Sequence, residues 1–214
     1  MEFPTVNKVL EEVDSSLNGK IQVIRTLGLG TCLKVDNLTQ SGGIVDGFWR
    51  QLLGRVKKEK REVKDCLVLG LGGGSAAMRV KALWPQAEVT GVDVDPLMIK
   101  LGRKYLGLTG VKVVIEDASN FTINAHRKSQ KYDLILVDVY LGSNYPPEFE
   151  RDDFLNRIKS LLTPNGLAVF NRLYYGEKRP AAMRFGTKLE KVFARVDYIF
   201  PEANVMFVCS ATIE

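Results

Sequence analysis

The sequence holds a single histidine, His126, and three cysteines, Cys32, Cys66 and Cys209, none of them in a CxxC pair. Such scarcity provides no spaced ligand set for zinc and no disulfide framework. The cysteines fall singly on stretches that read as strands, the pattern of reduced core residues in a cytoplasmic protein. Long apolar runs are missing as well. The run 134–139 falls far short of the roughly 20 residues a membrane helix needs. Met1-Glu2-Phe3-Pro4 has neither the basic start nor the apolar core of a secretory signal. Neither sign of charge dominates, with 30 basic and 25 acidic residues giving +5. The basic runs, Lys57-Lys58-Glu59-Lys60-Arg61 and Lys178-Arg179, carry no interleaved aromatics, so a nucleic-acid platform is not expected.

What remains is an ordinary globular composition, 45% hydrophobic and 26% charged over 214 residues. That length suits one α/β domain with a small appendage. The organising stretch is Asp65-Cys66-Leu67-Val68-Leu69-Gly70-Leu71-Gly72-Gly73-Gly74-Ser75. A short apolar strand runs into three consecutive glycines, and a helix-forming run opens at Ser75. Glycines allow positive φ and a close approach of ligand to backbone. The helix start offers unpaired N–H groups and a positive dipole end. A second strand, 88–93, ends in Asp93, 19 residues past Gly74. An acid near that position meets ribose hydroxyls in nucleotide-binding units.

Along the chain, residues 1–18 predict a helical lead-in, with Val6, Val9, Leu10 and Val13 at helical spacing. Two β-rich runs around Gly28-Leu29-Gly30 predict a hairpin, and 44–56 an amphipathic helix. The charged run 57–62 is the expected linker, which divides the chain into an appendage at 1–62 and a nucleotide-binding domain at 63–214. Strands and helices then alternate, as in a parallel sheet covered on both faces. The run 134–137 is apolar throughout and therefore central. Pro146-Pro147 opens a further helix reaching Leu162. Residues 196–200 and 205–210 predict a closing antiparallel pair, giving a seven-stranded, mostly parallel Rossmann-like sheet.

Four successive strand ends carry polar equipment: Gly70 to Ser75, Asp93 with Asp95, Glu116-Asp117, and Asp138 to Tyr140. In open α/β sheets ligands bind beyond these ends. A carboxylate can take a ribose diol on its two oxygens, and an acid after the third strand can accept from an adenine amino group.

The motifs 68–75, Val92-Asp93-Val94-Asp95-Pro96, Glu116-Asp117-Ala118, 132–138 and Leu162-Thr163-Pro164-Asn165-Gly166 resemble the spermidine synthase family. The likeness covers about residues 20 to 210. It implies an S-adenosylmethionine-dependent methyltransferase-type fold with a small N-terminal β domain, and pairing of subunits through the hairpin side. The resemblance places Asp93 and Val94 at the ribose, and Asp117 with Ala118 at the adenine. It passes Gly70, Gly72 and Gly74 beneath the methionine-derived portion, and brings Gln40 to the ligand from the hairpin loop.

Two departures from the synthases stand out. Synthases carry an aspartate directly after the glycine triplet for the free amine of decarboxylated S-adenosylmethionine; here it is Ser75. Their second aspartate, which activates the attacking amine, is replaced by Leu141. Leucine can neither accept a proton nor stabilise a cation. Ser75 at a helix start would instead donate to the carboxylate of intact S-adenosylmethionine. Gly-Leu-Gly-Gly-Gly-Ser also looks like the protein methyltransferases sharing this fold.

The expectation is therefore a methyltransferase without a metal, acting on a protein or small amine. Asp138 and Tyr140 would stand at the catalytic side, with Asn144 and Tyr145 lining the acceptor side. Two other readings stay open: an aminopropyltransferase whose amine-binding acids have moved to Glu148, Glu150 or Asp152, and a catalytically silent nucleotide-binding or dimerisation module.

Overall fold

A computed structural model of the chain describes residues 7–60 and 62–212. Two sheets build it. The N-terminal sheet is antiparallel, in the order β1 (Asn7–Ser15), β2 (Gly19–Thr26), β3 (Gly30–Val35), β4 (Leu38–Gly42). Helix α1 (Gly43–Glu59) then leads to the main sheet. This contains β5 (Asp65–Leu69), β6 (Glu88–Asp93), β7 (Lys112–Ile115), β8 (Tyr132–Val137), β9 (Leu162–Leu173), β10 (Arg195–Ile199) and β11 (Asn204–Ser210). Their order is β10-β11-β9-β8-β5-β6-β7; β11 runs antiparallel to both its neighbours, β10 and β9, and all other neighbours pair in parallel. The order reverses between β5 and β8, which puts a crevice beside the glycine turn.

The lead-in is a strand, not a helix. Its apolar residues Val9, Leu10 and Val13 imitate helical spacing because β1 shifts register between Val9 and Glu11. The extra residue of a bulge breaks the two-residue alternation that marks a strand. What reads as a hairpin thus becomes a four-stranded sheet; Val6 lies outside the described residues. A second difference follows Pro146, where Pro147–Glu150 form only a 3₁₀ turn and helix α5 starts at Asp152 (Asp152–Leu161).

Helices α2 (Ser75–Leu83), α3 (Pro96–Tyr105), α4 (Ala118–Arg127), α5 and α6 (Lys178–Val192) cover the main sheet. Asp95 caps α3, accepting from Leu97 N–H at 2.8 Å, with Pro96 in the first turn where its missing N–H costs nothing. Two apolar cores fill the faces of the sheet, with Leu134 and Leu136 in one and Ile135 and Val137 in the other. A third core joins the N-terminal sheet to α3, through Ile21, Val23, Leu33 and Val35 against Met98 and Leu101. The three cysteines are buried free thiols, Cys32 in β3, Cys66 in β5 and Cys209 in β11. No helix among the described residues is long and apolar enough to cross a membrane.

Candidate active site

The turn after β5 is held in place before any ligand arrives. Gly70 N–H and Leu71 N–H both donate to the Val92 carbonyl, at 2.9 and 3.0 Å. Gly70 has φ +81°, and a Cβ there would meet the Asp138 carbonyl oxygen at 2.1 Å. Only glycine fits a left-handed position so close to another backbone. Gly72 N–H donates to Asp93 Oδ2 at 2.6 Å, and Gly73 N–H to Ser41 Oγ of β4 at 2.8 Å. The glycine amides are therefore largely engaged within the protein. The N–H groups offered to an anion belong to the first turn of α2, at Ser75 and Ala76, since intrahelical bonding begins with Met78 N–H to the Gly74 carbonyl. Gly74 caps that helix with φ +93° and lies outside the cavity wall.

A cavity of about 290 Å³ opens beyond the strand ends. Gly70, Gly72, Ser75, Asp93, Val94, Asp138, Tyr140 and Gln40 all line it. Asp117 and Ala118 line a neighbouring cavity of about 90 Å³. Gly70, Asp93, Val94 and Tyr140 belong to both walls, so the two spaces meet at the ends of β5, β6 and β8. Gln40 Nε2 donates to the Gly142 carbonyl at 3.1 Å, joining the N-terminal sheet to the loop after β8. Asp117 Oδ1 caps α4 by accepting from Asn120 N–H at 2.9 Å.

Burial raises the Asp93 carboxyl, and the N–H bonds from Asp95 and Gly72 oppose that rise. Asp138 is deeper. Burial pushes it up to about 6, against the hydrogen bonds of Asn171 and the Trp49 indole, with the nearby Asp93 charge adding to the rise. Asn171 Nδ2 donates to Asp138 Oδ1 at 2.7 Å, and Asn204 Nδ2 donates to Asn171 Oδ1 at 2.8 Å. Burial also raises the Tyr140 phenol, which accepts from Leu173 N–H at 2.8 Å. Ser75 Oγ accepts from Gly42 N–H at 2.7 Å, leaving its own O–H free to donate.

Some expected residues lie elsewhere. Asn144 and Tyr145 do not line the main cavity. Asn144 closes a tight bridge with Leu141, and Tyr145 packs behind the wall, with the Arg172 guanidinium 3.9 Å from its ring centre. Glu150 pairs with Arg172 at 2.6 Å, Asp152 starts α5, and Glu148 lines only the smaller space. None of these three acids reaches the main cavity, so none can replace the missing synthase carboxylates there. Conversely, Asn171, Asn204, Trp49 and Asn18 line the cavity without having been singled out in the sequence. Asn171 had a signal: it is the polar residue ending the apolar run 167–170.

The seven-stranded sheet, its glycine turn and its acid-bearing strand ends define a class I methyltransferase fold. Residues 66–166 match the family model described as a methyltransferase domain. An eEF1A lysine and N-terminal methyltransferase homolog of Drosophila melanogaster is 36% identical over 157 residues, covering 68% of this chain and 23% of that protein. The chain thus spans about a quarter of that relative's length. Human methyltransferase-like protein 13, solved in complex with SAH, superposes with a TM-score of 0.63 at 25% identity, over 80% of this chain and 81% of that one. Spermidine synthase from Thermotoga maritima shares the fold, with a TM-score of 0.78 at 18% identity over 97% of this chain and 74% of that one. Residues 66–166 thus carry a methyltransferase domain, in a chain whose fold is shared with the spermidine synthases.

Proposed function

We propose that this chain moves a methyl group from intact S-adenosylmethionine to an amine nitrogen of a protein. One observation carries the reading: the charge of the main cavity. Its wall contains Asp93, Asp138 and Glu202 and no lysine, arginine or histidine, although the chain as a whole is basic. Such a wall favours cationic ligands, the sulfonium of the cofactor and an amine acceptor. Next to the glycine turn the anion of a synthase is absent, and Ser75 O–H with the α2 start suits a carboxylate. The relatives named as lysine and N-terminal methyltransferases point to the same acceptor chemistry.

In this reading Asp93 takes the ribose hydroxyls on lone pairs its backbone bonds leave free, beside Val94. Asp117 Oδ2 and Ala118 face the adenine. Gln40 closes the cleft from above. The cofactor supplies an electrophilic methyl on a sulfonium. Asp138, ionised, takes the proton that the cationic amine must shed. Through a remaining N–H it turns the freed nitrogen lone pair toward that methyl, while Asn171 and Trp49 hold the carboxyl group still. The sulfur keeps the C–S electron pair and leaves as S-adenosylhomocysteine. Alignment of this kind supplies much of what a methyl transfer requires. Tyr140, anchored to Leu173, forms the wall beside it.

We further place the protein in the cytoplasm, on the strength of its three buried thiols. We divide it functionally at residues 62 and 63, and assign a homodimer contact to the N-terminal sheet side, where Leu27 and Leu29 are exposed. Calorimetry with S-adenosylmethionine, its decarboxylated form and methylthioadenosine tests the central reading. Tighter binding of the intact cofactor is expected. Preference for the decarboxylated form would restore aminopropyl transfer, and binding of none would leave the silent module.

A further inference from the structure

The carboxyl group assigned to the amine ends a directed chain of hydrogen bonds that begins on another strand. β11 runs antiparallel to β9, with Met206 opposite Asn171 and Asn204 opposite Leu173. Asn204 is thus the diagonal neighbour of Asn171 on the same face of the sheet, a spacing that longer side chains bridge. Asn204 Nδ2 donates to Asn171 Oδ1 at 2.8 Å, and Asn171 Nδ2 donates to Asp138 Oδ1 at 2.7 Å. Both asparagines are buried, and both line the main cavity.

An amide has one donating and one accepting end and keeps its shape when turned end for end. Packing therefore does not choose between the two orientations of Asn171; its bonds do. With Asn204 donating to its oxygen, its nitrogen points at Asp138. Turned over, Asn171 would set its oxygen against the carboxylate, and an attraction would become a repulsion. Donors to a carboxylate favour its charged form, and their loss favours the protonated one. Around Asp138 stand also the Trp49 indole of α1, which donates to it, and Asp93 at the end of β6, which opposes its charge. Tyr140 and Tyr145 lie near it, with Arg172 against them.

We infer that Asn204 is a positioning residue for the methyl transfer, locking the Asn171 amide so that its donating end stays on Asp138. The inference rests on the role proposed above for Asp138. Asn204 acts on that carboxyl group only through Asn171, two hydrogen bonds away. Its loss leaves the cavity its acid but makes the acid hold its proton to higher pH, where it can no longer take one from the amine.

The test is carbon-13 NMR of the aspartate side-chain carboxyls in the full chain, the Asp138 resonance being assigned by its loss in Asp138→Asn. In the natural chain it should titrate at about pH 6. Asn204→Leu, close in volume and without a donor, should raise that midpoint by about one pH unit, the scale of one weakened bond to a charged group. Asn204→Ser, too short to reach Asn171, should do the same with different packing. In an Asn171→Leu background neither change should move the midpoint further. A merely structural role would lower stability and leave the midpoint in place, and an unmoved midpoint overturns this inference alone. So does an equal shift in the Asn171→Leu background, which would mean that Asn204 reaches Asp138 by another route. Failure of the natural chain to bind S-adenosylmethionine in calorimetry overturns the methyl-transfer reading and this role with it.

Discussion

Ser15 Oγ donates to Asp95 Oδ2 at 2.6 Å, joining the end of β1 to the cap of α3 across 80 positions. A buried carboxylate without an adjacent cation depends on such donors. Ser15→Ala removes one of them and should cost about 2 kcal/mol in urea unfolding. Hydrogen exchange should quicken in residues 7–42 more than in the main sheet. Equal protection in both would separate Ser15 from the docking of the N-terminal sheet.

Asp93 is the acid whose loss should tell most directly on the cofactor. Asp93→Ala also frees Gly72 N–H. The affinity for S-adenosylmethionine should fall about tenfold or more, the scale of one charge-assisted bond. Unchanged affinity in calorimetry would remove the ribose from this position.

Asp138 gives a prediction in pH. Burial pushes its folded carboxyl up to about 6, above the ordinary aspartate value of 3.8. The folded protein therefore binds more protons than the unfolded one between those values, and this group makes stability fall as pH rises through that window. Asp138→Asn should flatten that slope in urea titrations. On the proposed reading the ionised form is the acceptor for the amine, so kcat/KM should rise with pH through about 6. A lower limb that persists in Asp138→Asn would belong to another group.

Ser75→Asp restores a carboxylate where the synthases have one. The position abuts the α2 start, where an anion is tolerated, but the carboxylate of intact S-adenosylmethionine would be repelled. Binding preference should shift toward the decarboxylated cofactor. No shift in side-by-side calorimetry would show that this charge does not choose between them.

Gly102 lies in α3, and a Cβ there would meet the Gly73 carbonyl oxygen at 2.5 Å and its Cα at 2.8 Å. Both are backbone atoms of the glycine turn and cannot rotate away. Gly102→Ala should cost about 1–3 kcal/mol in chemical unfolding and weaken the cofactor as well. A variant as stable as the natural chain would mean the helix and turn slide apart freely.

The strand-end chemistry was legible because it is local. Asp93 and Asp138 each close an apolar strand, and the glycine turn lies between a strand and a helix in sequence as in space. The cavity wall was less legible where it depends on distant partners. Nothing near Asn18 announces Asp95, whose Oδ2 accepts from its Nδ2 at 2.8 Å, and Trp49 reads as one more apolar residue of α1 until its indole is found against Asp138. Tyr145 shows the converse: it follows Tyr140 closely in sequence, yet the Leu141–Asn144 bridge turns the chain and sends its ring into the core. Residues 7–15 carry helical spacing in sequence because a bulge disguises a strand.

The placement of the thiols gives the molecule a set of internal clocks. Burial raises all three, so each is inert to alkylation while its surroundings stay closed. Cys32 reports on the N-terminal sheet, Cys66 on the centre of the main sheet and Cys209 on its antiparallel edge region. Their modification rates, read separately by mass spectrometry, time the opening of each part. A nucleoside that ties the first sheet to the second would slow the Cys32 clock while leaving the order of the other two unchanged.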